Sequence, residues 1–139
     1  MSCCLDTNVL VSMFFADADT NRAFTWLARD HEPICVSDWA ATKFFALVWR
    51  RAPDGLVTAD IAGAAILDFD AFAGNRAQRL SQSAAAEAPA ALLARDPALK
   101  LSAAALQLAP NAEGGHCLVT FDARLVEAAS ARGFNVETP

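Results

Sequence analysis

Cys3-Cys4-Leu5-Asp6-Thr7-Asn8-Val9-Leu10 and, far along the chain, Cys117-Leu118-Val119-Thr120-Phe121-Asp122 follow one plan. In each, a short apolar run reads as a buried strand, and an acid stands where the strand ends. An acid in that position, followed by small polar residues, can hold a cation or a phosphate at the edge of a sheet. It can equally do no more than cap the next helix. One such motif leaves the two readings even; a pair of them says more, because strand ends far apart in sequence can meet in one sheet.

The stretches between them fit that frame. Asp19 to Asp30 places Ala23, Phe24, Trp26 and Leu27 at helical spacing, and Pro33 then breaks the chain before a second apolar run, Ile34 to Val36. Ser37 is suited to N-cap a long helix reaching about Arg51, with Asp38 favourable in its first turn. Pro53, Asp54 and Gly55 signal a turn. Thr58 can cap a helix to about Phe72, and Gly74 and Asn75 mark a loop. Arg79 to Gln82 reads as a short strand. Ser83 to Ala94 is Ala-rich and helical apart from Pro89, Lys100 to Leu108 forms another helix, and Pro110 to Gly115 is a loop. A last helix spans about Ala123 to Arg132, Gly133 sits where a C-terminal cap glycine belongs, and Asn135 and Val136 form a closing strand. Short apolar strands alternating with helices predict a three-layer α/β/α domain over residues 1–139, with a central parallel sheet of four or five short strands. Ligands of such sheets bind beyond the carboxyl ends of the strands, where Asp6 and Asp122 would lie.

Composition bounds the function. The 139 residues are 55% hydrophobic and 19% charged, which supports a packed core and argues against disorder. The net charge of -5 is wrong for a general nucleic-acid binder, so any nucleic-acid contact has to be local or supplied by a partner. No apolar run spans a bilayer, and Asp6 and Asn8 interrupt the N-terminal one, which also lacks a basic leader; the expectation is a cytoplasmic protein with no membrane contact. Cys3, Cys4, Cys35 and Cys117 are then expected to be reduced, acting as small buried hydrophobes on strands.

Over nearly its whole length the chain resembles PIN domains, in particular the small VapC-type toxins of bacterial toxin–antitoxin pairs. Leu5 to Leu10 is similar to the family's opening acid motif, and Val36 to Phe44 to its second strand and following helix. Ala105-Leu106-Gln107-Leu108-Ala109 is similar to its penultimate helix, and Leu118 to Leu125 with Gly133 and Val136 to Pro139 to its ending. The middle, Ala52 to Ala98, is unspecific. The resemblance implies a ribonuclease in which acids at the sheet's carboxyl end hold Mg²⁺ or Mn²⁺, and the metal activates a water and steadies charge on the phosphate. Asp6 and Asp122 match two of the family's acids and would be the metal ligands; Asn8 and Thr120 match supporting polar positions. The resemblance also implies an antitoxin-like partner and a homodimer.

Two positions depart from the pattern. Lys43 stands where the family usually has Glu, and Ala104 where it has Asp; Glu113, in the loop beyond, could substitute only by folding back. The changes are mutually consistent. Like charges about 4 Å apart repel by roughly 4 kcal/mol at an effective dielectric near 20, so four acids need a cation to stay ionised and compact. Two acids with an ammonium among them do not. Lys43 is therefore expected near Asp6 or Asp122 in place of the metal, the plainer alternative being a solvated helix residue.

The preferred reading is a PIN-type domain with a degenerate ribonuclease site, inactive or weakened, retained as a partner- or RNA-binding module. The alternative is an active Mg²⁺- or Mn²⁺-dependent endoribonuclease toxin. A phosphotransfer enzyme is a poorer match, because Asn8 stands where an Asp-x-Asp phosphatase needs its general acid, and no middle strand ends in the Asp of a receiver domain. Trp26, Trp39 and Trp49, with Phe24, Phe44 and Phe45, fit helix faces packed on the sheet or on a partner. Arg50, Arg51, Arg76 and Arg79 read as solvated surface, RNA phosphate contact being the sharper alternative. His116 has no evident partner and His31 lies in a loop, so neither is assigned a role.

Overall fold

The computed structural model describes residues 2–29, 33–81, 116–131 and 133–139. The expected strand and helix after the first acid are present as β1 (Cys3–Leu5) and α1 (Thr7–Phe14), followed by α2 (Thr20–Leu27). Next come β2 (Ile34–Ser37), α3 (Asp38–Arg51), α4 (Ala59–Asn75) and β3 (Ala77–Leu80). Beyond the undescribed stretch lie β4 (Cys117–Val119), the last helix, here α5 (Ala123–Ser130), and β5 (Val136–Glu137). The expected helices over Ser83 to Leu108 and the loop from Pro110, with Ala104 and Glu113, lie outside the described residues, as does His31.

All four strand pairings are parallel, and the sheet order is β3-β2-β1-β4-β5. The chain builds outward from β1 to one edge, then crosses back to start β4 on the other side of β1. That reversal makes the β1/β4 boundary the topological switch point, where a crevice opens at the strands' carboxyl ends.

Strand alternation divides the core. Cys3, Leu5, Ile34, Val36, Cys117 and Val119 share one cluster with residues of α1 to α4, including the fully buried Val9, Leu10, Ala41, Phe44, Val48 and Phe69. Leu118 belongs to a second cluster with Leu125 and Ala129 of α5 and with Phe134 and Val136. Helices thus cover both sheet faces, as a parallel sheet requires. Aromatic rings knit the larger cluster: Phe44 stacks on Phe69 at 4.8 Å, and Phe14 meets Phe44, Phe69 and Phe72 edge-on. Trp26 is buried as expected, whereas Trp49 and Phe24 stand about half exposed. No helix among the described residues is long and apolar enough to cross a membrane.

The caps follow the sequence. Ser37 accepts from the Ala40 amide and Thr58 from that of Ile61, while Gly133 takes the left-handed conformation, φ +78°, just past α5. Three expectations change. Gly74 and Asn75 continue α4 rather than breaking it; the Asn75 amide donates to the Ala71 carbonyl one turn back, and Gly74 faces open space, so the cost of a helical glycine is only about 1 kcal/mol. The third strand comes two residues early, since its register is set by pairing of Ile34 to Ser37 with Ala77 to Leu80. And Cys4 and Cys35 are not separate thiols: register places them directly opposite, with Cα atoms 4.5 Å apart, and their sulfurs are joined in a disulfide. Cys3 and Cys117 lie outside the disulfide as buried thiols, as expected.

Candidate functional site

Asp6 leaves β1 and Thr120 leaves β4 at the switch point, and their side chains meet. Thr120 is fully buried, and its hydroxyl donates to Asp6 Oδ2 at 2.6 Å. The Thr120 hydroxyl oxygen in turn accepts from Asn8 Nδ2 at 3.0 Å and from the Asp122 amide at 3.1 Å. Its one proton is committed to the carboxylate, so the 3.5 Å approach of Asn8 Oδ1 is not a second donation. Asn8 Oδ1 instead accepts from the Phe121 amide at 3.2 Å. Thr120 is thus a hub that ties the two acid motifs together, although it lies more than a hundred residues from Asp6.

Each acid also caps its helix, so the plain and the functional readings of the motifs hold together. Asp6 Oδ1 accepts from the Thr7 amide at 2.6 Å at the start of α1. Asp122 Oδ1 accepts from the amides of Arg124 and Leu125, at 3.0 and 3.3 Å, at the start of α5. The partial positive charge of two helix N-termini therefore faces the two carboxylates. Thr7, missed as a site residue from sequence, donates its hydroxyl to the Ala40 carbonyl and fastens α1 to α3.

That fastening brings in Lys43. Asp6, Thr7, Asn8, Lys43, Leu47, Asp122 and Leu125 line one hollow of about 170 Å³. Lys43 and Leu47 are one turn apart on α3 and so share a face. Asp6, Asn8, Thr120, Asp122 and Lys43 are all brought together, four around the hollow and Thr120 buried among their hydrogen bonds. No ion pair among the described residues includes Lys43, so it lines the hollow without docking on either acid. Leu47 and Leu125 were also missed; their signal was helical spacing from Lys43 and from the cap Asp122.

Among the described residues the hollow offers two carboxylates, with both Asp6 oxygens already accepting hydrogen bonds, and the Lys43 side chain on the same walls, a poorer set than the several hard oxygen ligands that Mg²⁺ or Mn²⁺ takes. Among the other described basic residues, Arg124 also approaches the site, with its Nε 3.9 Å from Asp122 Oδ1, while three more are engaged with other partners. Arg79 pairs with Asp38 at 2.6 Å, Arg22 stacks over Phe121 at 5.0 Å, and Arg51 over Phe15 at 5.1 Å. Contrary to the sequence reading, His116 does have a partner: its Nδ1 is bonded to the Ser2 hydroxyl.

No family model and no curated protein matches the chain in sequence. Solved structures do match its architecture. VapC20 from Mycobacterium tuberculosis, described as a toxin that cleaves the sarcin–ricin loop, superposes with TM-score 0.74 at 20% identity, over 95% of this chain and 95% of that one. VapBC2 from Rickettsia felis, bound to a DNA fragment from its promoter, gives TM-score 0.68 at 17% identity, over 100% and 99%. FitAcB from Neisseria gonorrhoeae gives 0.69 at 18%, over 96% and 95%. The chain therefore has the α/β fold of VapC-type PIN-domain proteins.

Proposed function

We propose that this chain is a VapC-like PIN-fold protein whose nuclease site is degenerate, with Lys43 supplying to the hollow the positive charge that a divalent metal would supply. The observation that carries the reading is that Lys43 lines the same hollow as Asp6 and Asp122. The positive charge of Lys43 offsets part of the mutual repulsion of the two carboxylates, a role a metal would otherwise play. The domain then serves as a binding module for an antitoxin-like protein, with RNA as a further ligand and a homodimer as its assembly. Exposed Trp49, Leu56, Ile61 and Leu67 support a protein partner, as does a hollow of about 390 Å³ lined by Phe14, Phe15, Arg51, Leu56, Val57 and Ile61.

One observation favours a second reading, an active Mg²⁺- or Mn²⁺-dependent endoribonuclease: Asp122 uses Oδ1 for its cap and leaves Oδ2 without a hydrogen bond among the described residues. Incubation with structured RNA and Mn²⁺ separates the two. The degenerate site gives no cleavage above that of Asp122→Asn. Metal-dependent cleavage by the wild-type chain, abolished in Asp122→Asn, would establish the enzyme instead.

A further inference from the structure

A second cluster of ligand-type side chains lies at the other end of the β1/β4 boundary. Cys4, Cys35 and His116 each bring one ligand atom to a common point, with all three atoms within 4.8 Å of one another. The placement is dictated by the sheet. Cys4 and Cys35 are registered partners on β1 and β2, and Cys4 is registered with Leu118 on β4. His116 lies two residues before Leu118, so strand alternation puts it on the face that carries Cys4 and Cys35. Cys3 and Cys117, a registered pair in their own right, point to the opposite face. The Ser2 hydroxyl, bonded to Nδ1 of His116, steadies the ring, as a metal-binding imidazole requires.

We propose that Cys4, Cys35 and His116 form a redox-switched zinc site. In the structure the two sulfurs share a disulfide and have no thiolate to offer. A dithiol reductant transfers two electrons and two protons to the disulfide, giving two thiols and leaving the reductant oxidised. Zn²⁺ then displaces both thiol protons and binds two thiolates and one imidazole nitrogen, with water in the fourth position. Zn–S bonds of about 2.3 Å and Zn–N bonds of about 2.0 Å set tetrahedral ligand atoms roughly 3.5–4 Å apart, so the two sulfurs move apart once the disulfide is reduced, while all three atoms stay inside the 4.8 Å span they now occupy. Soft thiolates select Zn²⁺ over the Mg²⁺ or Mn²⁺ that carboxylates would take, so this site is chemically distinct from the Asp6–Asp122 hollow. Hydrogen peroxide reverses the switch: two thiolates become a disulfide, their two electrons and two protons from solvent turn the peroxide into two waters, and the metal is released.

The test is Co²⁺ titration of the full chain, reduced with a phosphine and compared with the same chain left oxidised. The reduced chain is expected to take up one Co²⁺ with a thiolate-to-cobalt charge-transfer band that Zn²⁺ abolishes by displacement. The oxidised chain shows no such band, and His116→Ala weakens binding by about tenfold or more. The oxidised comparison needs no variant in the core, and it also excludes Cys3 and Cys117, which stay reduced in both samples. A reduced, folded chain with no charge-transfer band overturns the proposal, and so does a band of equal strength in the oxidised chain. Unchanged affinity in His116→Ala removes the imidazole from the site and overturns it as stated.

Discussion

Replacing Thr120 by Val removes one oxygen and keeps the side chain's shape, so the loss isolates the hub's hydrogen bonds. The hydroxyl's donation to the Asp6 carboxylate, at 2.6 Å between a fully buried and a 6% exposed residue, is charge-assisted and worth about 1.5–3 kcal/mol. The bonds received from Asn8 and the Asp122 amide are ordinary, about 1 kcal/mol each, and water can reach those half-buried groups once the oxygen is gone. The expected destabilisation is therefore about 2–4 kcal/mol, measured as the change in unfolding free energy from equilibrium urea denaturation at neutral pH. Thr120→Ser is the control. It keeps the hydroxyl and deletes one methyl, for a loss of about 1 kcal/mol. If Thr120→Val falls within about 0.5 kcal/mol of the wild type, or costs no more than Thr120→Ser, then the hydroxyl does not hold the two acid motifs together.

Two further outcomes follow from the core. Phe44→Ala opens the middle of the aromatic cluster and is expected to cost about 3–5 kcal/mol in the same denaturation assay, against about 0.5 kcal/mol or less for the exposed Leu67→Ala. The Cys117 thiol is pushed up to about 11 by burial first, then by Cys3 and Glu137. Its unfolded form ionises near 9, so between pH 9 and 11 the unfolded chain sheds a proton that the folded chain keeps. Stability from this group is complete below pH 9 and declines up to about pH 11, by roughly 1–2 kcal/mol after allowance for solvent screening. Comparing wild type with Cys117→Ala across that range should show the decline in the wild type alone.

The parts of the fold that local chemistry specifies were legible in the sequence. Buried strands ending in Asp6 and Asp122, the caps Ser37 and Thr58, and Gly133 past α5 all depend on near neighbours. So did the convergence of Asp6, Asn8, Lys43, Thr120 and Asp122, because a parallel sheet gathers strand ends at one edge. What sequence did not reveal depends on register. Neither the disulfide between Cys4 and Cys35 nor the bond of Ser2 to His116 has a local signal; each exists because two strands align at one residue and not the next. Thr7 was visible in its motif, but its bond to the Ala40 carbonyl reflects helix packing. Gly74 and Asn75 failed as a loop signal because an exposed glycine costs a long helix little.

The central claim, that the charge of Lys43 replaces that of a metal in the hollow of Asp6 and Asp122, is tested most directly by titrating Mn²⁺ calorimetrically into the wild-type chain and into Lys43→Glu. The account predicts no saturable uptake by the wild type at sub-millimolar Mn²⁺ and new binding in Lys43→Glu. Sub-millimolar binding by the wild type that disappears in Asp6→Asn would contradict it.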